Sequence, residues 1–410
     1  MEINWKKNAG LFLAGQALSL FGTMVVQYAI VWHITLKSQS GAMMTLFTIT
    51  GFLPMFFISP FAGVWADRFN RKYIIIIADG LVAFFSLIAA LFLIFKIDSY
   101  VILFICTIVR SLGQGIQMPA VGAFIPQIVP EQHLTRINGF QNSIQSVVAL
   151  ASPMLSGTMM TFTPLESLFF LDVITAAIGI SIVFFLVKIP EKNSAAQVTP
   201  QQKGTAYFHD LKEGITYMRN HGYVLRMIVF SVFFHFLFAP AAFLTYLQVI
   251  RKFGDEVWRL TAIEIFFSSG MMLGGVLIGL WGGFKNRIYS IALACLLCGL
   301  LSVGLGLTPF FWLYLIIMAV MGISVPLYNT PSMVLLQTRV EPSFLGRVLS
   351  VLTMVSSCMM PMGMLIFGPM ADFVSIDTIL IVTGALVSLL SIPIVGSKIL
   401  REAGMPNIKP

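Results

Sequence analysis

Four charged residues stand inside stretches that are otherwise apolar: Asp79, Arg110, Asp172 and Glu264. A charge in hydrocarbon costs several kcal/mol unless it is paired or hydrogen-bonded, so these residues are the candidates for chemistry. The chemistry open to them is proton gain and loss, since a carboxylate can titrate while a nearby guanidinium and burial act on it in opposite senses. Asp79 lies about two turns in from one end of its stretch, and Asp172 and Glu264 a similar distance in from the opposite end. Arg110 is near the middle of its stretch. A structural ion pair or cap is the competing reading for each, and for Glu264 the nearby Arg259 is the expected partner. A second group of charges, Asp67, Arg68, Arg71 and Lys72 in the stretch Gly63 to Lys72, falls between two long apolar runs and must be a loop at a membrane face.

Other chemistries lack their residues. The five histidines include no H-E-x-x-H or other metal spacing, although His235 is placed to join a proton relay. No G-x-x-x-x-G-K-[ST] loop is present to cradle a nucleotide phosphate, and neither a Ser-His-Asp set nor a paired-carboxylate set can be singled out. Cys106, Cys295, Cys298 and Cys358 all fall in apolar stretches, and Cys295 and Cys298 have no second pair with which to hold a metal. Enzymatic activity, a metal and a bound cofactor are therefore not expected. Energy would come from a gradient or from a partner such as an ATPase subunit.

The elements that position these residues follow from composition. The chain has 410 residues, of which 58% are hydrophobic and only 10% charged, against about 25% charged in soluble domains. With a mean hydropathy of +0.90, it reads as an all-α integral membrane protein. The start, Lys6-Lys7 before an apolar run with no small-residue cleavage site, reads as a retained first helix. Twelve spans are expected, at 9–36, 41–62, 73–95, 98–122, 137–162, 166–187, 224–250, 258–280, 288–307, 310–333, 347–369 and 374–397.

Lysine and arginine report the orientation. Five of them (Lys37, Lys96, Arg251, Lys252 and Arg259) lie on one face, and all the others except Arg110 lie on the face of both termini. Both termini are therefore expected in the cytoplasm. A net charge of +8 spread over many loops gives no nucleic-acid surface. The longest polar segment divides the chain into an N-terminal bundle (1–187), a linker (188–222) and a C-terminal bundle (223–410). Within the linker, Phe208, Leu211, Ile215 and Met218 recur at helical spacing, which predicts an amphipathic helix on the inner membrane surface, with a solvated connector as the alternative.

The two halves repeat. Val129-Pro130-Glu131, Arg136 and Pro153 to Gly157 correspond to Val340-Glu341-Pro342, Arg347 and Pro361 to Gly363. Gly279 to Arg287 occupies the place of Gly63 to Lys72, with Gly283 where Asp67 stands in the first half. Repeats of this kind mark secondary transporters, whose site lies between the halves. The six-plus-six order, the G-x-x-x-D-R-x-x-R-K loop and Arg110 in the fourth helix resemble the major facilitator superfamily over essentially the whole chain. Ala14-Gly15-Gln16 with Ser19, Gly51-Phe-Leu-Pro54, Ala78-Asp79, Arg110-Ser-Leu-Gly113, Phe170-Leu-Asp172 and Asp210-Leu-Lys-Glu-Gly214 are similar to its macrolide-efflux-type drug:proton antiporters. The fifth helix departs from the antiporter pattern, carrying Ser152-Pro153-Met-Leu-Ser156-Gly157 in place of a G-P-x-x-G-G-like run, and the first helix has no acid.

The resemblance implies two pseudo-symmetric six-helix bundles that rock about a central site. It implies a gate in which Asp67 meets the N-terminal end of the eleventh helix near Ser343 to Arg347. Gly63 would allow close helix approach there, and Arg68, Arg71 and Lys72 would anchor to lipid phosphate or to acids of their own bundle. It also implies that Arg110 faces the cavity and helps to move protons. Polar residues on apolar helices are the cavity candidates because lipid would not accept them unpaired: Gln16, Gln27, Gln114, Asn142, Gln145 and Asn329, with Gln117 and Gln248 beside them. Trp32 and His33 fit an interfacial belt instead.

The expected activity is proton-driven export of amphipathic or lipophilic compounds, macrolide or multidrug in type, by a monomer in a bacterial cell membrane. Its partners would be a lipophilic small molecule and membrane lipids. A transporter of an endogenous cargo such as a peptide antibiotic, siderophore or lysophospholipid, and a non-transporting membrane sensor, are the alternatives.

Overall fold

In hydrocarbon every backbone N–H and C=O has to be satisfied within its own segment, so apolar runs of this length become helices. The computed structural model describes residues 4–188 and 216–405, and among these no strand occurs. Fourteen α-helices follow in order. They are α1 (Trp5–Ser38), α2 (Gly41–Arg68), α3 (Arg71–Ile94), α4 (Tyr100–Ile128), α5 (Leu134–Phe162), α6 (Leu165–Ser181) and α7 (Gly222–Phe243), then α8 (Thr245–Phe253), α9 (Val257–Trp281), α10 (Arg287–Leu307), α11 (Phe311–Arg339), α12 (Pro342–Met370), α13 (Ile376–Gly396) and α14 (Lys398–Gly404). A π-turn over Ile182–Leu186 extends α6. The expected span 224–250 is two helices, because α7 stops at Leu244, whose N–H closes on the Pro240 carbonyl. Residues 189–215 of the expected 188–222 linker, with most of its amphipathic helix, lie outside the described residues; 216–220 are helical and Met218 is buried.

Among the described residues, eleven helical runs are long and apolar enough to cross a membrane. The fifth helix is the exception. At 29 residues α5 is as long as α4, yet Asn142, Ser143, Gln145 and Ser146 lie exposed along it. Polar side chains in that position are too costly against lipid, so this side of α5 faces water or protein. The polar face is also why the helix is too polar overall to count as an apolar span.

The described residues divide between two compact units. Unit 1 comprises Met1–Ser38, Leu46–Thr199 and Glu256–Thr261; unit 2 comprises Gln39–Thr45, Pro200–Asp255 and Ala262–Pro410. The packing inside one repeats inside the other. In unit 1, α1 packs on α5 and α3 on both α4 and α6; in unit 2, α7 packs on α12 and α10 on both α11 and α13. Two helices are shared: the first turn of α2 counts with unit 2, and the first turn of α9 with unit 1.

Trp32 is not at an interfacial belt. It is wholly buried, because α1 is surrounded within unit 1 by α4, α5 and α6. His33 turns outward instead and meets Asp98 at 3.2 Å, where Lys37 also binds at 2.5 Å.

Candidate functional site

The buried charges of unit 1 are assembled by a seven-residue offset, which is two helical turns and about 10 Å of rise. On α1 the offset separates Gln16 from Thr23, on α3 Asp79 from Ser86, and on α4 Arg110 from Gln117. Residues seven apart lie on one face of a helix, so each helix offers one polar residue to each of two layers.

The first layer is an ion pair. Arg110 and Asp172, 1% and 0% exposed, meet at 2.6 Å from Nη1 to Oδ2. Ser86 Oγ donates to the same Oδ2 at 2.7 Å and accepts from Arg110 Nη1 at 2.9 Å. Thr23 Oγ1 donates to Asp172 Oδ1 at 3.3 Å, and its carbonyl accepts from Arg110 Nη2. Close approach of α6 to α1 is what brings Asp172 here. A Cβ on Gly22 would lie 2.0 Å from Thr175 Oγ1 and 3.0 Å from the Asp172 Cα, so only glycine fits. The two buried charges are thus paired and hydrogen-bonded, with Arg110 Nε left without a partner among the described residues, and pairing is the condition under which such buried charges are tolerated.

The second layer holds Asp79, which is 8% exposed. Gln117 Nε2 donates to Asp79 Oδ1 at 2.7 Å and to Gln16 Oε1 at 3.2 Å. Gln16 Nε2 is buried without a partner among the described residues. No cation contacts Asp79 among the described residues. The two acids of this site therefore differ in kind: Asp172 is paired with the Arg110 guanidinium, whereas the partners of Asp79 are neutral, the Gln117 amide and the Ser19 hydroxyl among them.

The other sequence candidates lie elsewhere. Glu264, on α9 in unit 2, accepts from the Tyr246 hydroxyl, while Arg259 meets Glu256 at 2.6 Å. Gln27 and Gln114 are half-buried, and Asn142, Gln145 and Asn329 are exposed. His235 Nδ1 donates to the Ser231 carbonyl at 2.8 Å within its own helix.

At the turn from α2 to α3, the side chain of Asp67 and those of Pro342 and Ser343 lie outside the described residues, so the expected gate contact does too. The described part corrects one expectation and adds to another. A Cβ on Gly63 would meet nothing within 4 Å, so no close helix approach requires glycine there. The bases bind backbone carbonyls, three of the four at helix ends: Arg71 donates to the Ala66 carbonyl and to that of Ala123 inside α4, each at 2.8 Å, and Lys72 to those of Phe184 and Val187 at 2.9 and 2.7 Å. The reason is that the last carbonyls of a helix lack intrahelical partners and carry negative partial charge. The second-half loop repeats the device. Asn70 and Asn286 each cap the next helix, and Arg287 reaches back to the Gly282 carbonyl at 2.5 Å as Arg71 does to Ala66. Gly283, in place of the acid, has φ +79° in an open turn.

Ser86 and Thr23 were missed by reading charges alone. The repeated offset of seven across three helices is the signal that finds them.

Comparison with known proteins adds three findings. The family model described as Major Facilitator Superfamily matches residues 12–364. The chain is 29% identical over 391 residues to macrolide efflux protein A of Streptococcus pyogenes, covering 95% of each. It is also 29% identical over 328 residues to macrolide efflux protein A of Enterococcus faecalis, covering 80% of this chain and all of the relative. Among solved structures it resembles a D-xylose-proton symporter, with a TM-score of 0.69 at 13% identity and 98% coverage of both chains, a likeness of fold alone.

Proposed function

Because the chain belongs to the major facilitator superfamily, we propose that it exports amphipathic or lipophilic compounds of macrolide or multidrug type, coupled to protons, by alternating access. It is a multi-pass membrane transporter of the drug-efflux kind and not an enzyme. Similarity to macrolide efflux proteins over nearly the full length supports the cargo class. The observation that carries proton coupling is the pair of unlike acids in unit 1. An exchanger needs one group that gains and loses a proton in each cycle, and Asp79, whose partners are neutral, can do so without breaking an ion pair. Arg110 and Asp172 form the fixed scaffold beside it.

The arrangement of lysine and arginine supports cytoplasmic termini, which puts the α2–α3 turn inside and the α1–α2 connection outside. Exposed Asn142 and Gln145 on α5 and Asn329 on α11 are the polar residues available to a water-filled cargo path.

The test is flux in proteoliposomes under an imposed pH gradient. A lipophilic macrolide is expected to accumulate against its own gradient, and accumulation is expected to collapse when a protonophore is added. Accumulation that persists without any proton gradient removes the coupling. Gradient-driven flux of another cargo, with no flux of macrolides or other lipophilic drugs, replaces the cargo class.

Asp67 enters this proposal as the inner gate. A carboxylate at a helix N-terminus is stabilised by roughly 0.3 to 2 kcal/mol, enough to bias a two-state equilibrium. Asp67→Asn is expected to lower transport about tenfold with normal membrane insertion; wild-type transport in that variant removes the gate.

A further inference from the structure

The chain leaving α13 turns into α14, a helix of seven residues. Ser397 caps it by accepting from the Leu400 N–H at 3.4 Å. Leu400 and Ala403, three apart and so on one face, are buried, while Lys398, Ile399, Arg401 and Glu402 are exposed. α14 packs against α7, α10, α11 and α13, and all five helices belong to unit 2.

Two side chains grip its last turn. Arg339, the final residue of α11, donates from Nε to the Ala403 carbonyl at 2.8 Å and from Nη2 to the Glu402 and Met405 carbonyls at 3.2 and 2.6 Å. Asn286, buried just before α10, donates from Nδ2 to the Arg401 carbonyl at 2.9 Å while its Oδ1 accepts from the Ile288 N–H at 3.1 Å. Carbonyls at the end of a helix lack intrahelical partners and carry negative partial charge, so a guanidinium there satisfies them and the dipole together. Every side-chain bond that Arg339 makes among the described residues goes to this turn. Its own carbonyl accepts from the Tyr223 hydroxyl at 2.8 Å, and Arg226 Nη1 donates to Ser397 Oγ at 3.3 Å, which joins the start of α7 to the same place. Gly404 closes the grip. A Cβ there would lie 2.0 Å from Asn286 Oδ1 and 2.8 Å from Ile288 Cγ1, so only glycine lets α14 come so near α10.

The corresponding place in unit 1 is built more simply. The chain leaving α6 is held there by Asn8, whose Nδ2 donates to the Lys188 carbonyl at 2.6 Å and whose Oδ1 accepts from the Lys188 N–H at 2.8 Å. One amide holds one residue. In unit 2 a guanidinium, an amide and a glycine hold the last turn of a separate helix, and that helix touches four others.

We propose that α14 is a clasp: docking of its last turn on Arg339 and Asn286 ties together the ends of α7, α10 and α11, and unit 2 reaches full stability only with α14 in place. The site recognises the chemistry of a helix C-terminus, free carbonyls against a guanidinium fork, and its occupant is the segment 397–405 of this chain. Release is concerted, because one side chain holds three carbonyls and all three bonds are lost together when α14 leaves, with Asn286 left short of its acceptor.

The test uses the full chain in detergent and two measurements. Trypsin cleavage after Lys398 or Arg401, followed by mass spectrometry, reports release of α14, because a helix is cut only when it opens locally. The melting temperature reports what that docking is worth to the fold. Arg339→Gln is expected to speed cleavage about tenfold and to lower the melting temperature by about 5 °C, the scale of losing charge-assisted bonds. Gly404→Val leaves Arg339 intact but holds α14 away from Asn286, and is expected to act in the same direction. The double variant is expected to stay within about twofold in rate, and about 2 °C in melting temperature, of the stronger single variant, since a clasp already released cannot be released again. Full additivity overturns the proposal, as does cleavage at the wild-type rate in both single variants. Faster cleavage with an unchanged melting temperature also overturns it, because α14 would then hold nothing together. If Arg339→Gln does not insert, Arg339→Lys keeps the charge without the fork and is expected to speed cleavage about threefold, with no rise overturning the clasp. Neither measurement needs cargo or a proton gradient, so the result stands apart from the outcome of the flux assay.

Discussion

Asp172→Ala is expected to abolish transport and to reduce sharply the amount of folded protein recovered from membranes. Asp172 accepts from Arg110, Ser86 and Thr23 in a place with no access to solvent. Truncating it leaves the Arg110 guanidinium buried without a counter-charge, and breaking a buried pair from one side costs about 3 to 5 kcal/mol, a large part of the 5 to 15 kcal/mol that holds a typical domain together. The double variant Arg110→Gln with Asp172→Asn removes both charges and keeps the volume, so folding is expected to recover while coupled transport does not. Arg110→Lys is expected to fall between. It keeps the charge but loses the fork that lets Nη1 reach Ser86 and Asp172 while Nη2 reaches the Thr23 carbonyl. Size-exclusion profiles of detergent-extracted protein, read beside flux, separate the two effects. Normal recovery and normal transport in Asp172→Ala would show that the pair carries neither.

Asp79→Asn is expected to do the opposite: preserve the fold and remove the coupling. Asparagine has the same shape and still offers Gln117 an acceptor, so the Gln16–Gln117 contact persists. It cannot carry a proton. Accumulation driven by a pH gradient is expected to fall by about a hundredfold, within the range that removal of a proton-transfer group produces. Exchange of labelled for unlabelled cargo at equal pH, which needs no net proton movement, is expected to stay within about twofold of wild type. Concentrative transport at the wild-type level in Asp79→Asn would transfer the proton to another group. Glu264, which accepts from Tyr246, is then the next acid to replace.

Much of the site was legible before its geometry was. Asp79, Arg110 and Asp172 stood out because a charge in an apolar run has few explanations, and Gln16 and Gln117 because an amide in such a run needs a partner. The pairing was not legible, since nothing local says that Arg110 meets Asp172 and not Asp79. Gly22 decides that by admitting α6 to the side of α1, where Asp172 reaches Arg110. The α2–α3 turn was recognised as a membrane-face loop, but the backbone carbonyls that Arg71 and Lys72 bind were not foreseen. Their targets are backbone carbonyls, mostly of helix ends, and those appear only when the helices are placed side by side.

The sequence by itself determined that this is a helical membrane transporter of the major facilitator type. The constraint is local: each apolar segment must satisfy its own backbone, so length and composition dictate helices, and charges dictate where they end. Only the tertiary structure decided which acid pairs with Arg110 and which has neutral partners, and that Asp372, an unremarked loop acid, caps a helix that begins 331 residues earlier. Those choices depend on which glycines let two backbones touch, a property of paired surfaces that no single helix contains.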